Sequence, residues 1–512
     1  CDKGRWAFKY VTSTARLTHP LVRNAEGVLV PASWPEALAA AAAGLKGKRA
    51  AVLTGGRITY EDAYGYSKFA RIALKTNDID FRARVSGAEE GNFLASKALT
   101  SSVHYSDIDS ADQVLLLAFE PEEESPIVFL RLNKNFKKRG LKVTSIATKG
   151  SIAMDKLNAE FIKVAPGAEA SAVSSVALTA KSVILLGERA SESAGLISAA
   201  VALSEKTGAK LAWIPRRAGE RGALEAGAFP SLLPGGRPVA DSAARVDVAA
   251  AWGVDSLPST PGRTTHQIIE ALGNGELDSV VVGGVDAHDL LHSRKVLDVL
   301  KNSFVVSLEI ATSSVTEVAD VVLPVAAVTE KSGSFLNWEG RARAFDAAVS
   351  DSLNRSDVRI LSALADAMGE SIMLGTVSAT AREFAQLGKW DGARVPFAPV
   401  AAGSAPAASG DQAILTSWRR LLDMGTMQRG EDNLAGTRRQ TVAVISEKRA
   451  AAAGVVTGDQ VRISNAHGSI TLPVLVEDIH DDAVWIPRNS FGSQALTALD
   501  AVHGELVTVV KA

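Results

Sequence analysis

The feature that most constrains this chain is a recurring unit: a short apolar run, often ended by glycine or a polar turn, followed by a helix-like stretch. The runs are Ala50–Leu53, Val114–Ala118, Val183–Leu186, Leu211–Ile214, Val280–Val282, Val305–Leu308 and Val321–Val325. Each is short and apolar at consecutive positions, the pattern of a strand covered on both faces. The clearest helix between them is Thr59 to Leu74. Thr59 can cap its backbone with Asp62 three residues on, and Ala63, Tyr66, Ala70 and Leu74 fall near one helical face. Strand then helix, repeated, predicts an α/β fold of parallel sheets flanked by helices. No fixed-period repeat is present, which disfavours solenoids and propellers.

The texture changes towards the end. Residues 395–410 read VPFAPVAAGSAPAASG, rich in Ala, Pro, Gly and Ser without periodicity, a linker composition. After about Thr437 come β-type runs at Thr441–Ile445, Val461–Ser464, Ser469–Val476, Ala483–Ile486 and Leu506–Val510, broken by glycines and by Asp481-Asp482. This predicts a small β-barrel domain.

With 512 residues, 46% of them hydrophobic, the chain can fill roughly three domain cores. Lys and Arg number 55 against 57 Asp and Glu, and no dense basic block interleaves with aromatics, so nucleic acid is not the expected partner. The alanine-rich stretch Leu38–Leu45 is too short and too weakly apolar to span a bilayer, and no signal-peptide pattern opens the sequence. The one cysteine is residue 1, which excludes an internal disulfide or a self-contained Cys-based metal site. Opening on Cys1 and a dense Asp2-Lys3-Gly4-Arg5-Trp6 segment, the chain reads as the C-terminal portion of something longer.

Gly55-Gly56 and Gly283-Gly284 follow strands and read as strand-end turns; no GxGxxG, P-loop or GxSxG pattern occurs. His288-Asp289-Leu290-Leu291-His292 would set two imidazoles one helical turn apart, but lacks a third ligand and reads as a solvated helix start. Glu122-Glu123-Glu124 and Lys137-Lys138-Arg139 suit the two ends of a helix dipole and read as a solvated helix.

Several segments carry a resemblance: CDKGRWAFKYV and RLTHPLVRN at the start, the Trp34-Pro35-Glu36-Ala37-Leu38 helix start, and Gly56-Arg57-Ile58-Thr59-Tyr60-Glu61. Further on come ADQVLLLAFEPEEESP at 111–126, EVADVVLPVAAVTEKSGSFLNWEGRARAF at 317–345 and AGVVTGDQVRISNAHGSITLPVLVED at 453–478. Together they resemble the molybdopterin-oxidoreductase superfamily over nearly the whole chain. Within it the chain resembles the G subunits of proton-pumping NADH–quinone oxidoreductase (respiratory complex I) more than the formate-dehydrogenase-like enzymes. The alternative is a working enzyme with Ser86 on molybdenum, because DFRARVSG at 80–87 places the family's metal-ligand position there. Formate oxidation in the enzymes resembled uses a histidine next to that ligand, and the next residue here is Gly87.

The cofactor loops depart as well. Where the enzymes carry G-x-N-P, this chain has Ala118-Phe119-Glu120-Pro121, a carboxylate beside an anionic pyrophosphate position. Thr148-Lys149-Gly150 replaces Pro-Arg-x-Thr, and Gly283-Gly284-Val285-Asp286 lacks the proline of a later loop. The resemblance therefore implies no catalytic residue and no bound molybdopterin, with Ser86 a vestigial metal-ligand position. Cys1 would be the last ligand of a [4Fe–4S] cluster whose other ligands lie outside this segment, with Lys3 near it. FMN and NADH would sit on other subunits. The partners would be the other hydrophilic-arm subunits, peripheral on the cytoplasmic side of the inner (plasma) membrane. The arginines of the segment from Ile214-Pro215-Arg216-Arg217 to Gly236-Arg237-Pro238 would rim a loop or meet neighbouring subunits.

The organisation expected is a lead-in over 1–45 from an iron–sulphur domain, a first α/β domain in two pieces (46–85 and 250–394) and an inserted α/β domain (86–249). A linker region (395–436) and the barrel domain (437–512) follow.

Overall fold

The computed structural model describes residues 2–349 and 352–512, so Cys1 lies outside the described residues. All seven apolar runs are strands. Five of the seven strands in the first sheet run parallel in the order Val321–Pro324, Phe304–Glu309, Ser279–Gly283, Ala50–Thr54 and Ile79–Asp80. An antiparallel pair, Leu21–Arg23 and Leu29–Pro31, closes one edge; it comes from the stretch read as a lead-in. The second sheet is wholly parallel, in the order Glu160–Lys163, Lys142–Ala147, Gln113–Leu117, Val183–Gly187 and Lys210–Ile214. Its core joins that of the first sheet, one apolar cluster running through Val52, Leu115, Ile184 and Val306.

The helix predicted from Thr59 spans Tyr60–Ile72, and Thr59 accepts the Asp62 amide at 3.1 Å. Instead of one buried face, every residue from Glu61 to Ile72 is buried, because the helix is sandwiched between the sheet and the helices Asp357–Met368 and Val377–Leu387. Its polar positions are therefore satisfied inside the protein: Lys68 pairs with Glu383 at 2.8 Å, and Arg71 donates to the carbonyls of Gly227, Phe229 and Leu232.

The C-terminal unit is a closed six-stranded barrel. Its first strand, Gln412–Trp418, arises inside the stretch read as linker, and pairs with both Ala483–Pro487 and the last strand, Leu506–Lys511. Closure leaves no unpaired edge, and alternating side chains fill the interior, Val461, Ile463, Ile470 and Leu472 among them. Among the described residues no helix is long and apolar enough to cross a membrane.

Candidate functional site

In an open parallel sheet, ligands bind outside the carboxyl ends of the strands where the strand order reverses. Each sheet has one such crevice. In the first it lies between Ala50–Thr54 and Ser279–Gly283, and in the second between Gln113–Leu117 and Val183–Gly187.

The first crevice is filled by Arg57. Its guanidinium donates to the Leu308 carbonyl at 3.0 Å and lies 3.5 Å from Glu309 and 3.7 Å from Asp357. Gly284, at φ +65°, is the residue it crosses: a Cβ there would stand 2.1 Å from Arg57 Nε. Burial works against the Arg57 charge, but Asp357 and Glu309 hold its pKa above the ordinary value. Behind the half-buried Arg57, the buried Lys331 joins Asp62 at 2.5 Å to Asp357 at 3.1 Å.

The second crevice is filled from all sides. Strands of this sheet end in charged residues that turn into the crevice: Glu120, Lys149, Glu188 and Arg216. Glu188 accepts from Arg216 at 3.1 Å and Arg217 at 3.4 Å, and lies 3.4 Å from Arg84. Arg84 also meets Glu220 at 2.9 Å and Glu90 at 2.7 Å. Burial disfavours the Glu188 charge, yet Arg216, Arg217 and Arg84 hold its carboxyl well below the usual range. Arg217 continues to Asp289 at 2.9 Å; Asp289 also binds Arg419, and Arg419 binds Asp423 at 2.8 Å. On the other flank Arg189 pairs with Glu124 at 2.8 Å, and Arg488 grips both oxygens of Glu192 at 2.7 and 2.5 Å. Every arginine of this dense lattice thus faces at least one carboxylate, and the space left between them holds no more than roughly one or two waters.

Two of the predicted site residues, Ser86 and Lys3, sit around this lattice. Val85 lines it, and Ser86 follows at the start of helix Ala88–Ser96, half-buried. Lys3 reaches the opposite margin, donating to the Leu421 carbonyl at 2.8 Å and facing Asp423 at 3.6 Å. Burial lowers its pKa, with Arg216 and Arg419 adding to the effect against Asp423.

A neighbouring cavity at the same crevice is lined by Phe119, Ile146, Leu196 and Trp418 with Glu120, Thr148 and Lys149. Burial, reinforced by Glu124 and Glu123, pushes the Glu120 carboxyl up to about 7. Lys149 lies 5.8 and 5.4 Å from the rings of Trp418 and Trp485 and pairs with Glu477 at 2.8 Å. A pterin dinucleotide carries pyrophosphate and needs free cations and open space. Here the cations are engaged by the chain's own carboxylates, and Glu120 faces the cavity. The residues present do not fit that group.

Other expectations change. The two histidines do not share a helix: Ala287–Asp289 is a single turn, and the next helix, Ser293–Lys301, begins after His292, whose Nδ1 bonds Asp500 at 2.7 Å. Among the described residues no group of three His, Cys, Asp or Glu side chains is placed to hold a metal ion. The acidic triplet is not a solvated helix end either. Glu122 binds Lys156, Glu123 binds Arg439 and the Leu421 amide, and Glu124 binds Arg189. The arginines after Ile214 neither rim a loop nor face outwards: Arg216 and Arg217 enter the lattice, Arg221 pairs with Glu225 at 2.8 Å, and Arg237 with Asp247 at 2.6 Å. Sequence reasoning missed Glu188 and Asp289 as nodes. For Glu188 the signal available was a charged residue just past a strand of the second sheet, where ordinary α/β turns carry Gly, Asn or Ser.

The comparisons with known proteins agree with this fold. Residues 16–367 match the family described as Molybdopterin oxidoreductase, and residues 414–507 match the Molydopterin dinucleotide binding domain. The G subunit of the NADH-quinone oxidoreductase of Mycobacterium bovis is 47% identical, over 99% of this chain and 66% of its own length. That of Streptomyces coelicolor is 48% identical, over 99% of this chain and 65% of its own length. The chain therefore spans just under two thirds of these relatives. Acetylene hydratase from Pelobacter acetylenicus superposes with a TM-score of 0.61 at 12% identity, covering 98% of this chain and 93% of that one, a likeness of fold. With strand order, crevices and barrel in place and the family matched over most of its length, the chain belongs to the molybdopterin oxidoreductase family.

Proposed function

We propose that this chain is the non-catalytic, molybdopterin-fold portion of the iron–sulphur G subunit of a proton-pumping NADH–quinone oxidoreductase, a scaffold supporting electron transfer from NADH to quinone. One observation carries the reading: the crevice in which a working relative would hold its anionic cofactor is closed by paired charges centred on Glu188 and Arg84. The identity to the G subunits of Mycobacterium bovis and Streptomyces coelicolor supports the assignment to that complex. In this reading Cys1 donates the last thiolate to a [4Fe–4S] cluster, which supplies one-electron transfer. Lys3 is held at the barrel side of the lattice by the Leu421 carbonyl and Asp423. No molybdopterin is bound, and Ser86 is a relic of a metal-ligand position. FMN and NADH are held by other subunits, and the partners are the other hydrophilic-arm subunits, on the cytoplasmic side of the membrane.

Elemental analysis of the full-length protein purified from its native host, with pterin fluorescence after acid oxidation, tests the reading. Iron without molybdenum, tungsten or pterin is expected, with the iron of one cluster lost in Cys1→Ser. Near-stoichiometric molybdenum or tungsten with pterin overturns it and makes Ser86 the metal ligand to test.

A further inference from the structure

The barrel has its own apolar core, and among the described residues no cluster of buried apolar side chains spans from it to the two α/β units. The α/β units, by contrast, share one. What crosses the seam is polar: paired charges beside a short backbone bridge at Lys149 and Ile479. Arg488 of the barrel grips Glu192 of the second unit, His503 Nε2 meets Glu169 at 2.8 Å, and Lys149 reaches Glu477. The three units meet at one carboxylate. Asp289 belongs to the turn after Ser279–Gly283 of the first sheet; one of its oxygens takes Arg217 from the second unit, and the other takes Arg419 from the barrel. Arg419 is two-headed, holding Asp423 with its other terminal nitrogen.

We infer that the barrel is a separately packed unit docked on the α/β body by ion pairs, with Asp289 the keystone that locks all three units in one closed arrangement without any ligand between them. The physical ground is the asymmetry of buried pairs. Such a pair adds little over an apolar contact, but removal of one partner leaves a charge stranded out of water. A seam made this way holds firmly while intact and opens when a node is lost. At the barrel seam, a carboxylate shared by guanidiniums of two different units is the node with most to lose.

The seam carries its own reporters. The Gly150 amide donates across it to the Asp478 carbonyl at 3.1 Å, and the His480 amide to the Thr148 carbonyl at 2.9 Å. Hydrogen exchange of the full-length polypeptide is measured at these two amides, at Val281 in the first sheet and at Ile463 inside the barrel. The variants are D289N, which conserves volume, and R419K, which keeps the charge but cannot reach two carboxylates at once. R420K is the control, since Arg420 donates to the Arg439 and Gln440 carbonyls and lies over the Trp485 ring, contacts within the barrel unit itself. D289N and R419K are expected to speed exchange at Gly150 and His480 by about tenfold or more, leaving Val281, Ile463 and the R420K protein as in wild type. Unchanged seam amides in D289N and R419K overturn the inference. So does equal acceleration at all four sites, which would make Asp289 part of a single cooperative core. If D289N does not fold, R419K decides alone by the same two criteria.

Discussion

Tyr66 donates its phenolic hydrogen to Asp357 across 2.9 Å, both groups fully buried, and Asp357 in turn accepts from Lys331, which also holds Asp62. One ammonium therefore serves two carboxylates in the interior. Burial opposes the charge on Lys331, but Asp62 and Asp357 raise its pKa, so it stays protonated at neutral pH. Lys331→Met leaves Asp62 without its cation and Asp357 with Arg57 alone, and is expected to cost about 3–5 kcal/mol. Tyr66→Phe removes one hydrogen bond to a charged acceptor and costs about 1.5–3 kcal/mol. Urea titration followed by far-UV circular dichroism orders the two, and a Lys331→Met loss no larger than that of Tyr66→Phe would contradict the shared-ammonium arrangement.

Ala118 stands at φ +47°, the left-handed region that glycine adopts without penalty, and its carbonyl lies so close to Gly187 that a Cβ there would be 2.3 Å away. Ala118→Gly is therefore expected to raise the thermal midpoint, with a gain of up to about 1 kcal/mol after the extra freedom of the unfolded chain is subtracted. Gly187→Ala should lower it. A fall in midpoint for Ala118→Gly would show that the left-handed turn is not strained.

Glu120 titrates near 7 because it is buried beside Glu124 and Glu123. A carboxyl whose folded pKa lies above its unfolded value binds its proton more tightly in the native state. Stability contributed by the protonated group is thus full below the unfolded pKa and is lost as pH rises through 7, by about 3 kcal/mol at most. Glu120→Gln should flatten the decline in stability between pH 5 and 8 and leave the variant the more stable protein at pH 8. Glu188, Glu192 and Asp423 carry the opposite sign: burial opposes their charge, but their arginine partners lower their pKa values, so their contribution disappears as pH falls below the ordinary carboxylate range. Denaturation midpoints across pH for wild type and Glu120→Gln check both signs.

Arg84 touches three carboxylates and is buried, whereas Arg49 pairs with Asp278 on the open surface. Arg84→Met should destabilise by about 3–5 kcal/mol, the cost of unpairing buried charge. Arg49→Met should leave the midpoint essentially where it is, because water already solvates both partners. Equal effects in thermal melts would mean that the lattice contributes no more than surface pairs do.

The parallel strands were legible because strands covered on both faces carry near-continuous apolar runs, as Ala50–Leu53 and Val280–Val282 do. The antiparallel pair Leu21–Arg23 and Leu29–Pro31 was not, because three half-exposed residues leave no apolar run. The strand Gln412–Trp418 escaped because the Pro- and Ser-rich stretch before it drew the linker past its true end, although Ala413-Ile414-Leu415 carried the signal. Charged nodes are harder still. Asp289 finds Arg217 and Arg419 at sequence separations of 72 and 130 residues, and pairing at that range is decided by the fold rather than by local spacing. The departures at Glu120 and Lys149 were visible, but not that their neighbours would neutralise one another.

The strand Ala50–Thr54 pairs in register with Ser279–Gly283, and the whole second sheet lies between them in sequence. On the ribosome the first strand therefore emerges long before its partner exists, while every strand of the second sheet has appeared by Ile214. The insert can close as soon as it is made, and the host sheet must wait, holding the apolar run Ala50–Leu53 open to solvent and to other nascent chains. The birth order of the chain thus makes the earliest of its parallel strands the one that waits longest for its central partner, and slowing translation between residues 214 and 279 should lengthen that exposure without altering the finished fold.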